Sequence, residues 1–363
     1  MTTIDSLRVG HYRIPAEAAH EDATQSFDAL ELIIVEIDAG GVTGVGFTYT
    51  IGEGGAAIRE FVSETLSPLL VGNSAAPRDA REHLRAGVTF VGREGISELA
   101  IAAIDIALWD TLGKQLDAPL YELLGGSRDP IPAYDTDGGW IHLDRETLVK
   151  NANEASDSGF AGVKMKVGSC LATDEARVRA VHDTLSPETD LLIDGNCSYD
   201  IPTARRFANR INDLDIGWFE EPLEKGDYGA YEDLRAAVSV PIAAGENYYN
   251  PTQFKQAIAS NAIDILQPDV CRIGGITPWM IVADLGDVWG LPVSPHYIEP
   301  IHVHLAAASP AVSRIEHHST VLDRVLVDPL EPIEGMYVPP TDPGHGVEFA
   351  SLDAFHVGGE DFG

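Results

Sequence analysis

Beyond residue 130 the chain alternates short apolar runs with stretches of helical periodicity, and each apolar run ends in a polar side chain. Strands alternating with helices predict a parallel sheet. The polar ends recur at intervals close to the roughly 30 residues of one β/α unit in an eightfold barrel, where catalytic groups sit at the carboxyl ends of strands. The seven strand-end residues are Lys166, Asp194, Glu220, Glu246, Asp269, His296 and Glu316. The pattern therefore predicts a TIM-type (β/α) barrel, because an open doubly wound sheet would not explain polar residues at seven successive ends.

The first part of the chain has a different pattern. Residues 1–50 alternate apolar and polar positions, and "ELIIVEIDAGGVTGVGFTYT" predicts an antiparallel hairpin. From about 56 to 125 the periodicity is helical, with Ser97 as the expected N-cap of a long helix and Gly113 as its weak point. A Gly-Gly pair and two prolines then mark a domain boundary near residue 125.

Composition narrows the class of protein. A chain of 363 residues that is 44% hydrophobic is expected to form two soluble domains, with no apolar segment long enough for a membrane and no secretory signal. The three widely spaced cysteines favour a reduced, cytoplasmic protein. The net charge of −33 argues against a nucleic-acid partner and favours a surface adapted to concentrated salt, as in haloarchaeal cytoplasm.

Three of the strand ends carry carboxylates, in "IDGN", "FEEP" and "AGEN". Asp194, Glu220 and Glu246 would lie on adjacent strands, and they cannot all stay ionised in one cavity without a compensating cation. Oxygen ligands without His or Cys favour Mg²⁺ over zinc. The sequence therefore predicts one Mg²⁺ in each active site.

Basic residues would flank this ion. Lys164 and Lys166 alternate in "VKMK", so both face one side of their strand. We expect Lys164 to stay charged and neutralise a substrate carboxylate, and to depress the pKa of Lys166 so that it acts as a base. Across the ring, Asp269 is expected to orient His296 and raise its pKa. Glu316 could donate a hydrogen bond to a developing enolate if it is protonated.

Together these segments resemble the enolase superfamily, in its mandelate racemase and muconate lactonizing enzyme branch. "AIDIALWDTLGKQLDAPLYELLGG", "VKMK", "IDGN", "WFEEP", "AGEN", "QPDVCRIGGIT", "SPHY" and "RIEHH" follow in family order, and the Asp–His pair favours the mandelate racemase subgroup. The resemblance implies catalytic Lys164, Lys166, Asp269, His296 and Glu316, metal ligands Asp194, Glu220 and Glu246, and Asn196, Lys164 and Glu316 as substrate contacts.

The family fold implies an α+β capping domain at 1–125, a modified barrel at 126–325 and a C-terminal segment at 326–363 that completes the cap. Specificity loops are expected at 15–27 and 48–56. We also expect a homo-oligomer, from dimer to octamer, acting on a small hydroxy acid in carbohydrate catabolism. Among the other histidines, His20 is expected in a surface loop, whereas His317 is a possible substrate contact.

The expected chemistry is removal of the proton α to a carboxylate through an enediolate. The resemblance favours an acid-sugar dehydratase that eliminates the β-hydroxyl to give a 2-keto-3-deoxy acid. Because no Lys or Arg occurs from 14 to 58 to clamp a distal carboxylate, aldonates are favoured over aldarates. A racemase or epimerase of a 2-hydroxy acid would need the same Lys166 and His296, and a catalytically silent binding protein is the third alternative.

Overall fold

The computed structural model describes residues 2–318 and 321–362. One large apolar cluster joins residues of the N-terminal part and of the barrel, and a second lies within the N-terminal part. An N-terminal antiparallel sheet packs on helices that follow it, and a parallel sheet curls into the barrel. The N-terminal elements are β1 (Ile4–Glu21), β2 (Ser26–Ala39), β3 (Val42–Thr50), α1 (Gly55–Phe61), a π-helix (Val62–Leu66), α2 (Ser67–Leu70), α3 (Pro77–Gly87), α4 (Ile96–Leu116) and α5 (Leu120–Leu123).

The barrel part alternates strands and helices. Its first half contains β4 (Ile131–Asp135), α6 (Arg145–Asp157), β5 (Gly162–Lys166), α7 (Leu171–His182), β6 (Asp190–Asp194), α8 (Ile201–Arg210), β7 (Ile216–Glu220) and α9 (Tyr228–Arg235). Its second half contains β8 (Ile242–Ala244), α10 (Pro251–Ala259), β9 (Ile265–Leu266), α11 (Ile276–Trp289), α12 (Glu299–Ala307), β10 (Ile315–His317), β11 (Met336–Tyr337) and β12 (His356–Gly359). Short 3₁₀ turns cover Asp323–Val325 and Asp353–Phe355.

The barrel strands are ordered β10-β4-β5-β6-β7-β8-β9, and every neighbouring pair in this series is parallel. The order confirms the expected barrel. The seventh strand, expected in "LPVSPHY", is reduced to one residue. Only Val293 pairs there, through single parallel bridges to Leu266 and Val312. Strand β5 is buried at every position, as expected of a parallel strand covered on both faces.

Local sequence explains many of the boundaries. The carboxylates of Asp144, Asp200 and Asp227 accept backbone N–H groups at the starts of α6, α8 and α9. The expectation for α4 is wrong in detail, because this helix begins at Ile96 and its N-cap is Gly95. The Ser97 hydroxyl instead donates back to the carbonyls of Gly92 and Glu94.

The N-terminal hairpin is confirmed, with β2 and β3 paired around Gly40-Gly41. The segment expected as a loop at 15–27 is mostly strand, because β1 runs to Glu21 and β2 begins at Ser26, which leaves a short tip at 22–25. Similarly, β3 extends to Thr50, so the second expected loop is limited to 51–54 before α1 begins. His20 therefore lies on β1, where its ring is 4.7 Å from that of Trp140.

The far end of the chain returns to the N-terminal layer. Strand β12 pairs antiparallel with β1 on the edge opposite β2. The C-terminal segment also passes close to α4 at Gly113. A Cβ on this glycine would be 2.5 Å from the Gly344 Cα, so the absence of a side chain permits the segment to pass over the helix. Among the described residues, none of the helices combines the length and apolar character needed to cross a bilayer.

Candidate active site

Three carboxylates converge at the carboxyl ends of β6, β7 and β8. Asp194 and Glu220 are the last residues of their strands, whereas Glu246 follows β8 by two positions. Each residue offers an oxygen within 4.8 Å of the other two, and all three are buried. Gly245 makes the last placement possible, since its φ is +139° and a Cβ there would lie 2.5 Å from the Phe254 ring.

Neighbouring side chains fix the orientation of these acids. Glu220 Oε2 accepts hydrogen bonds from Trp218 Nε1 at 3.0 Å and Gln267 Nε2 at 2.7 Å. Asp194 Oδ1 accepts the backbone N–H of Asn196 at 2.8 Å. Glu246 Oε2 is buried and has no hydrogen-bond partner among the described residues. A buried oxygen of this kind, beside two other carboxylates, fits a hard divalent cation.

The two lysines neutralise the acids in the structure. Lys164 Nζ lies 2.8 Å from Glu220 Oε1 and 2.7 Å from Glu316 Oε1, while Lys166 Nζ lies 2.6 Å from Asp194 Oδ2. Burial and the neighbouring carboxylates raise the pKa of Glu220 to about 8, despite the opposing effect of Lys164. With its pKa at about 8, Glu220 keeps much of its proton at neutral pH even beside Lys164, so full ionisation of the three carboxylates requires a further positive charge.

The expected effect of Lys164 on Lys166 is wrong in its net result. Burial and the charge of Lys164 do lower the pKa of Lys166, but Asp194 outweighs them and leaves that pKa above its usual value. Burial likewise would lower the pKa of Lys164, yet Glu220 and Glu316 hold it well above its usual value. Two adjacent lysines are therefore not enough to produce a neutral amine while Asp194 is uncompensated.

Glu316 is an anion, contrary to the protonated form considered from sequence. Burial would raise its pKa, but Lys164 prevails and holds the pKa well below its usual range. Its two oxygens accept hydrogen bonds from Thr136 Oγ1 at 2.7 Å and from the backbone N–H of Tyr297 at 2.8 Å.

A histidine stands at the other end of the acidic group. His296 Nδ1 is 2.9 Å from Asp269 Oδ2, and His296 Nε2 is 3.5 Å from Glu246 Oε2. Burial would lower the pKa of His296, but Glu246 and Asp269 raise it to about 9. Because Asp194, Glu220 and Glu246 follow one another across β6, β7 and β8, Lys166 and His296 flank opposite ends of this group.

Tyr49 completes the Asp269–His296 pair and was missed by the sequence reasoning. Its hydroxyl, on β3 of the N-terminal layer, donates to Asp269 Oδ2 at 2.6 Å. The other Asp269 oxygen accepts the backbone N–H groups of Cys271 and Arg272. A strand-end tyrosine in a different domain carries no sequence signal for this contact, because the partners are 220 positions apart.

A cavity of about 290 Å³ opens above this cluster, near the lower end of the roughly 300–1,000 Å³ typical of ligand sites. Lys166, His296, Asn196 and Glu246 face it. Lys164, Glu316, Asp194, Glu220 and Asp269 lie beneath its floor and are not among its lining residues. The cap contributes Asp22 and Gln25 from the β1–β2 tip, Phe27 and Leu30 from β2, and Tyr49, Thr50, Ile51 and Glu53 from the end of β3 and the loop after it.

The backbone around the site is unusual. Five of the eight described non-glycine residues with positive φ lie within three positions after a strand-end site residue: Asn196, Cys197, Glu221, Tyr297 and Ile298. Such conformations cost on the order of 1–3 kcal/mol each and persist where the surrounding structure requires them. Their clustering here indicates that side-chain placement at the strand ends takes precedence over backbone strain.

The contacts of the remaining histidines show which of them faces the cavity. His318, not His317, faces the cavity. The His317 ring turns away, with Nδ1 2.6 Å from the Tyr337 hydroxyl. Asp135, Asp137 and His317 also offer ligand atoms within 4.8 Å of one another, but Asp137 already pairs with His318, and we assign no ion to this group.

Comparison with known proteins identifies the architecture. Residues 6–125 match the mandelate racemase / muconate lactonizing enzyme N-terminal domain, and residues 147–353 match the enolase C-terminal domain-like family. The chain belongs to the enolase superfamily. Its sequence is 38% identical over 293 residues to L-talarate/galactarate dehydratase of Salmonella typhimurium, covering 79% of this chain and 72% of that enzyme.

Other members of the superfamily are similar over most of the chain. Arabinonate dehydratase of Saccharolobus solfataricus is 30% identical over 334 residues, covering 87% of this chain and 88% of the relative. A crystal structure of the Salmonella dehydratase with Mg and L-lyxarohydroxamate superposes with a TM-score of 0.94 at 31% identity, covering 100% of this chain and 95% of that one. A racemase from Streptomyces coelicolor with bound magnesium gives 0.93 at 31% identity, covering 98% and 100%.

Proposed function

We propose that this enolase-superfamily protein is a Mg²⁺-dependent dehydratase of an acid sugar, an aldonate or aldarate. The observation that carries the proposal is the buried group Asp194, Glu220 and Glu246, flanked at opposite ends by Lys166 and His296. Similar chains act as dehydratases of talarate or galactarate, arabinonate, gluconate, xylonate and rhamnonate. These relatives include monoacids and diacids among their substrates.

Asp194, Glu220 and Glu246 would hold the ion. When bound, Mg²⁺ would neutralise Asp194 and stabilise negative charge that develops on a substrate carboxylate. Lys166 Nζ faces the cavity, and compensation of Asp194 would weaken the effect that raises the pKa of this lysine. A lysine-to-alanine variant of an L-talarate/galactarate dehydratase, with a similar structure, carries Mg and L-glucarate, so loss of a lysine in that enzyme is compatible with the bound metal.

The remaining residues have distinct tasks in this proposal. Lys166 takes the proton α to the carboxylate, and the electron pair left on carbon forms an enediolate. The C–O bond at the β-carbon then breaks, and His296 Nε2 gives its proton to the departing hydroxyl as water. Asp269 orients His296, Asn196 contacts the substrate from the cavity wall, and Lys164 with Glu316 binds the carboxylate end from below.

The charge argument for an aldonate is weakened by the structure. A fixed guanidinium faces the cavity from outside the 14–58 segment, since Arg272 lies on its wall and bonds Asn247 Oδ1 at 2.6 Å. A distal carboxylate therefore has a cation available within the barrel. We leave both substrate classes in the proposal.

A racemase or epimerase is the second candidate, favoured by the placement of Lys166 and His296 at opposite ends of the acidic group. Both candidates are tested by incubating the protein with Mg²⁺ in ²H₂O and a panel of aldonates and aldarates. Formation of a 2-keto-3-deoxy acid supports the dehydratase. Exchange of the α-proton with inversion and no keto acid supports the racemase. If the protein binds Mg²⁺ but shows neither reaction, the result supports a catalytically silent binding protein.

The cellular setting belongs to the proposal as well. We infer a cytoplasmic homo-oligomer adapted to high salt, and the net charge of −33 supports the adaptation to salt. The proposed units are a cap at 1–125, a barrel at 126–325 and a C-terminal segment at 326–363, and the pairing of β12 with β1 supports the last of these. Light scattering in molar KCl would give the subunit number, and limited proteolysis would map the unit boundaries.

A further inference from the structure

A second His–Asp pair, separate from His296 and Asp269, lies beside the cavity, and its histidine lines the cavity. His318 Nδ1 lies 2.9 Å from Asp137 Oδ1. Asp137 follows β4 and His318 follows β10, and these strands are parallel neighbours in the barrel. His318 faces the same cavity as Lys166 and His296.

The ring of His318 is held in place on several sides. Its backbone N–H donates to Glu299 Oε1 at 3.1 Å, and its ring centroid lies 5.5 Å from that of Trp140 and 5.0 Å from that of Tyr297. Only 12% of the side chain is exposed. Because Asp137 engages Nδ1, the ring nitrogen left for a ligand is Nε2, which donates or accepts according to protonation.

Its height in the barrel identifies what it would contact. Glu316 points inward beneath the cavity floor, where it pairs with Lys164. His317 points outward. His318 points inward again and lies two residues closer to the mouth of the barrel. If the carboxylate end of the substrate lies at the floor, as in the proposed function, His318 stands level with carbons beyond the α-carbon. The β1–β2 tip adds Asp22 and Gln25 to the same cavity.

We propose that His318, oriented by Asp137, binds a hydroxyl group in the tail of the substrate and so selects polyhydroxy acids over hydroxy acids with an apolar tail. This inference rests on the proposed function, because it takes the position of the carboxylate from it. Asp22 and Gln25 of the β1–β2 tip line the same cavity as His318 and add polar groups to it, and β4 and β5 separate β10 from β6 in the sheet order.

The test compares the affinity of two matched pairs of ligands with the Mg²⁺-loaded protein: gluconate against 2-hydroxyhexanoate, and arabinonate against 2-hydroxypentanoate. Within a pair the carbon number and the α-hydroxy acid are the same, and only the tail hydroxyls differ. We expect the wild type to prefer the polyhydroxy member of at least one pair by tenfold or more. His318→Phe, which keeps the aromatic packing, should reduce that preference to within about twofold.

His317→Phe is the matched control, since this neighbouring ring faces away from the cavity and its Nε2 is 3.9 Å from Asp137 Oδ2, beyond hydrogen-bonding distance. His318→Asn, which is too short to reach as far as Nε2, replaces the phenylalanine variant if that one does not fold, as judged by thermal unfolding and Mg²⁺ titration. An unchanged preference in the His318 variant, an equal change in His317→Phe, or a wild type that prefers neither polyhydroxy acid would overturn the inference. All affinities are measured in the Lys166→Met background, with His318 intact or replaced, because this background lacks the proposed base and does not convert the ligands during the titration. Absence of dehydration by the protein with Lys166 intact would therefore refute the proposed function alone.

Discussion

Replacing Lys166 by methionine should strengthen Mg²⁺ binding while it abolishes proton transfer. The Lys166 ammonium lies 2.6 Å from Asp194 Oδ2, on a carboxylate of the proposed ligand set. Methionine keeps the length and packing of the side chain but removes the charge. The variant therefore frees a ligand and removes a positive charge next to the incoming cation, and it also removes the proposed base.

The size of the effect follows from this geometry. Two unit charges 4 Å apart interact by about 4 kcal/mol at an effective dielectric of 20, and a divalent ion doubles that repulsion. If a quarter survives hydration and salt screening, about 2 kcal/mol remains. That corresponds to roughly 30-fold tighter Mg²⁺ binding. Turnover should fall by about three orders of magnitude or more, since a general base contributes about 10²–10⁴-fold.

Isothermal titration with Mg²⁺ measures the first effect, and α-proton exchange in ²H₂O measures the second. Lys255→Met is the control, because Lys255 is exposed on α10 and its loss changes the net charge equally. Unchanged or weaker Mg²⁺ affinity in Lys166→Met relative to Lys255→Met would refute the idea that the ammonium occupies the position of the ion. Retained exchange would exclude Lys166 as the essential base.

Three further predictions use other parts of the structure. Glu220→Ala should weaken Mg²⁺ binding by about 100-fold or more, and unchanged affinity in titration would remove Glu220 from the ligand set. Tyr49→Phe removes a charge-assisted hydrogen bond worth about 1.5–3 kcal/mol, so kcat should fall by roughly 10- to 100-fold with KM nearly constant; a steady-state assay showing wild-type kcat would contradict a positioning role. Burial and Asp137 raise the pKa of Asp135 to about 7. Between about pH 4 and pH 7 the native state therefore keeps a proton that the unfolded chain has lost. The contribution of Asp135 to the free energy of unfolding falls as the pH rises through this range. The free energy of unfolding of Asp135→Asn, relative to that of the wild type, should therefore rise by up to about 4 kcal/mol over that pH range. A difference in urea unfolding that does not change with pH would contradict the assignment.

Much of the architecture could be predicted from the sequence, because the local pattern of apolar and polar residues identifies each strand. Apolar runs closed by polar residues identify barrel strands one at a time, since a parallel strand is apolar along its length and exposes its end. Asp194, Glu220 and Glu246 could be grouped from sequence because adjacent parallel strands end at one edge. Expectations failed where tertiary packing overrides a local signal, as at Ser97, where Gly95 caps the helix instead.

Charge states were decided only by the tertiary structure. The sequence places Lys164 two residues before Lys166 and predicts mutual repulsion, but each ammonium finds a carboxylate from another strand, at 2.8 and 2.6 Å, and these contacts prevail. The same holds for Glu316, which is ionised because Lys164 lies beside it. A pKa depends on burial and on distances across the barrel, and strand periodicity contains neither.

The sequence by itself determined the barrel, the order of its strand-end residues and the carboxylate group that suits a divalent ion. Tertiary structure alone decided which side chains reach the cavity and which lie below it. Tyr49 meets Asp269, and His318 meets Asp137, across separations of 220 and 181 positions. The physical reason is that periodicity fixes the side of its own element to which a residue points, while contact across the barrel requires the whole chain to be folded.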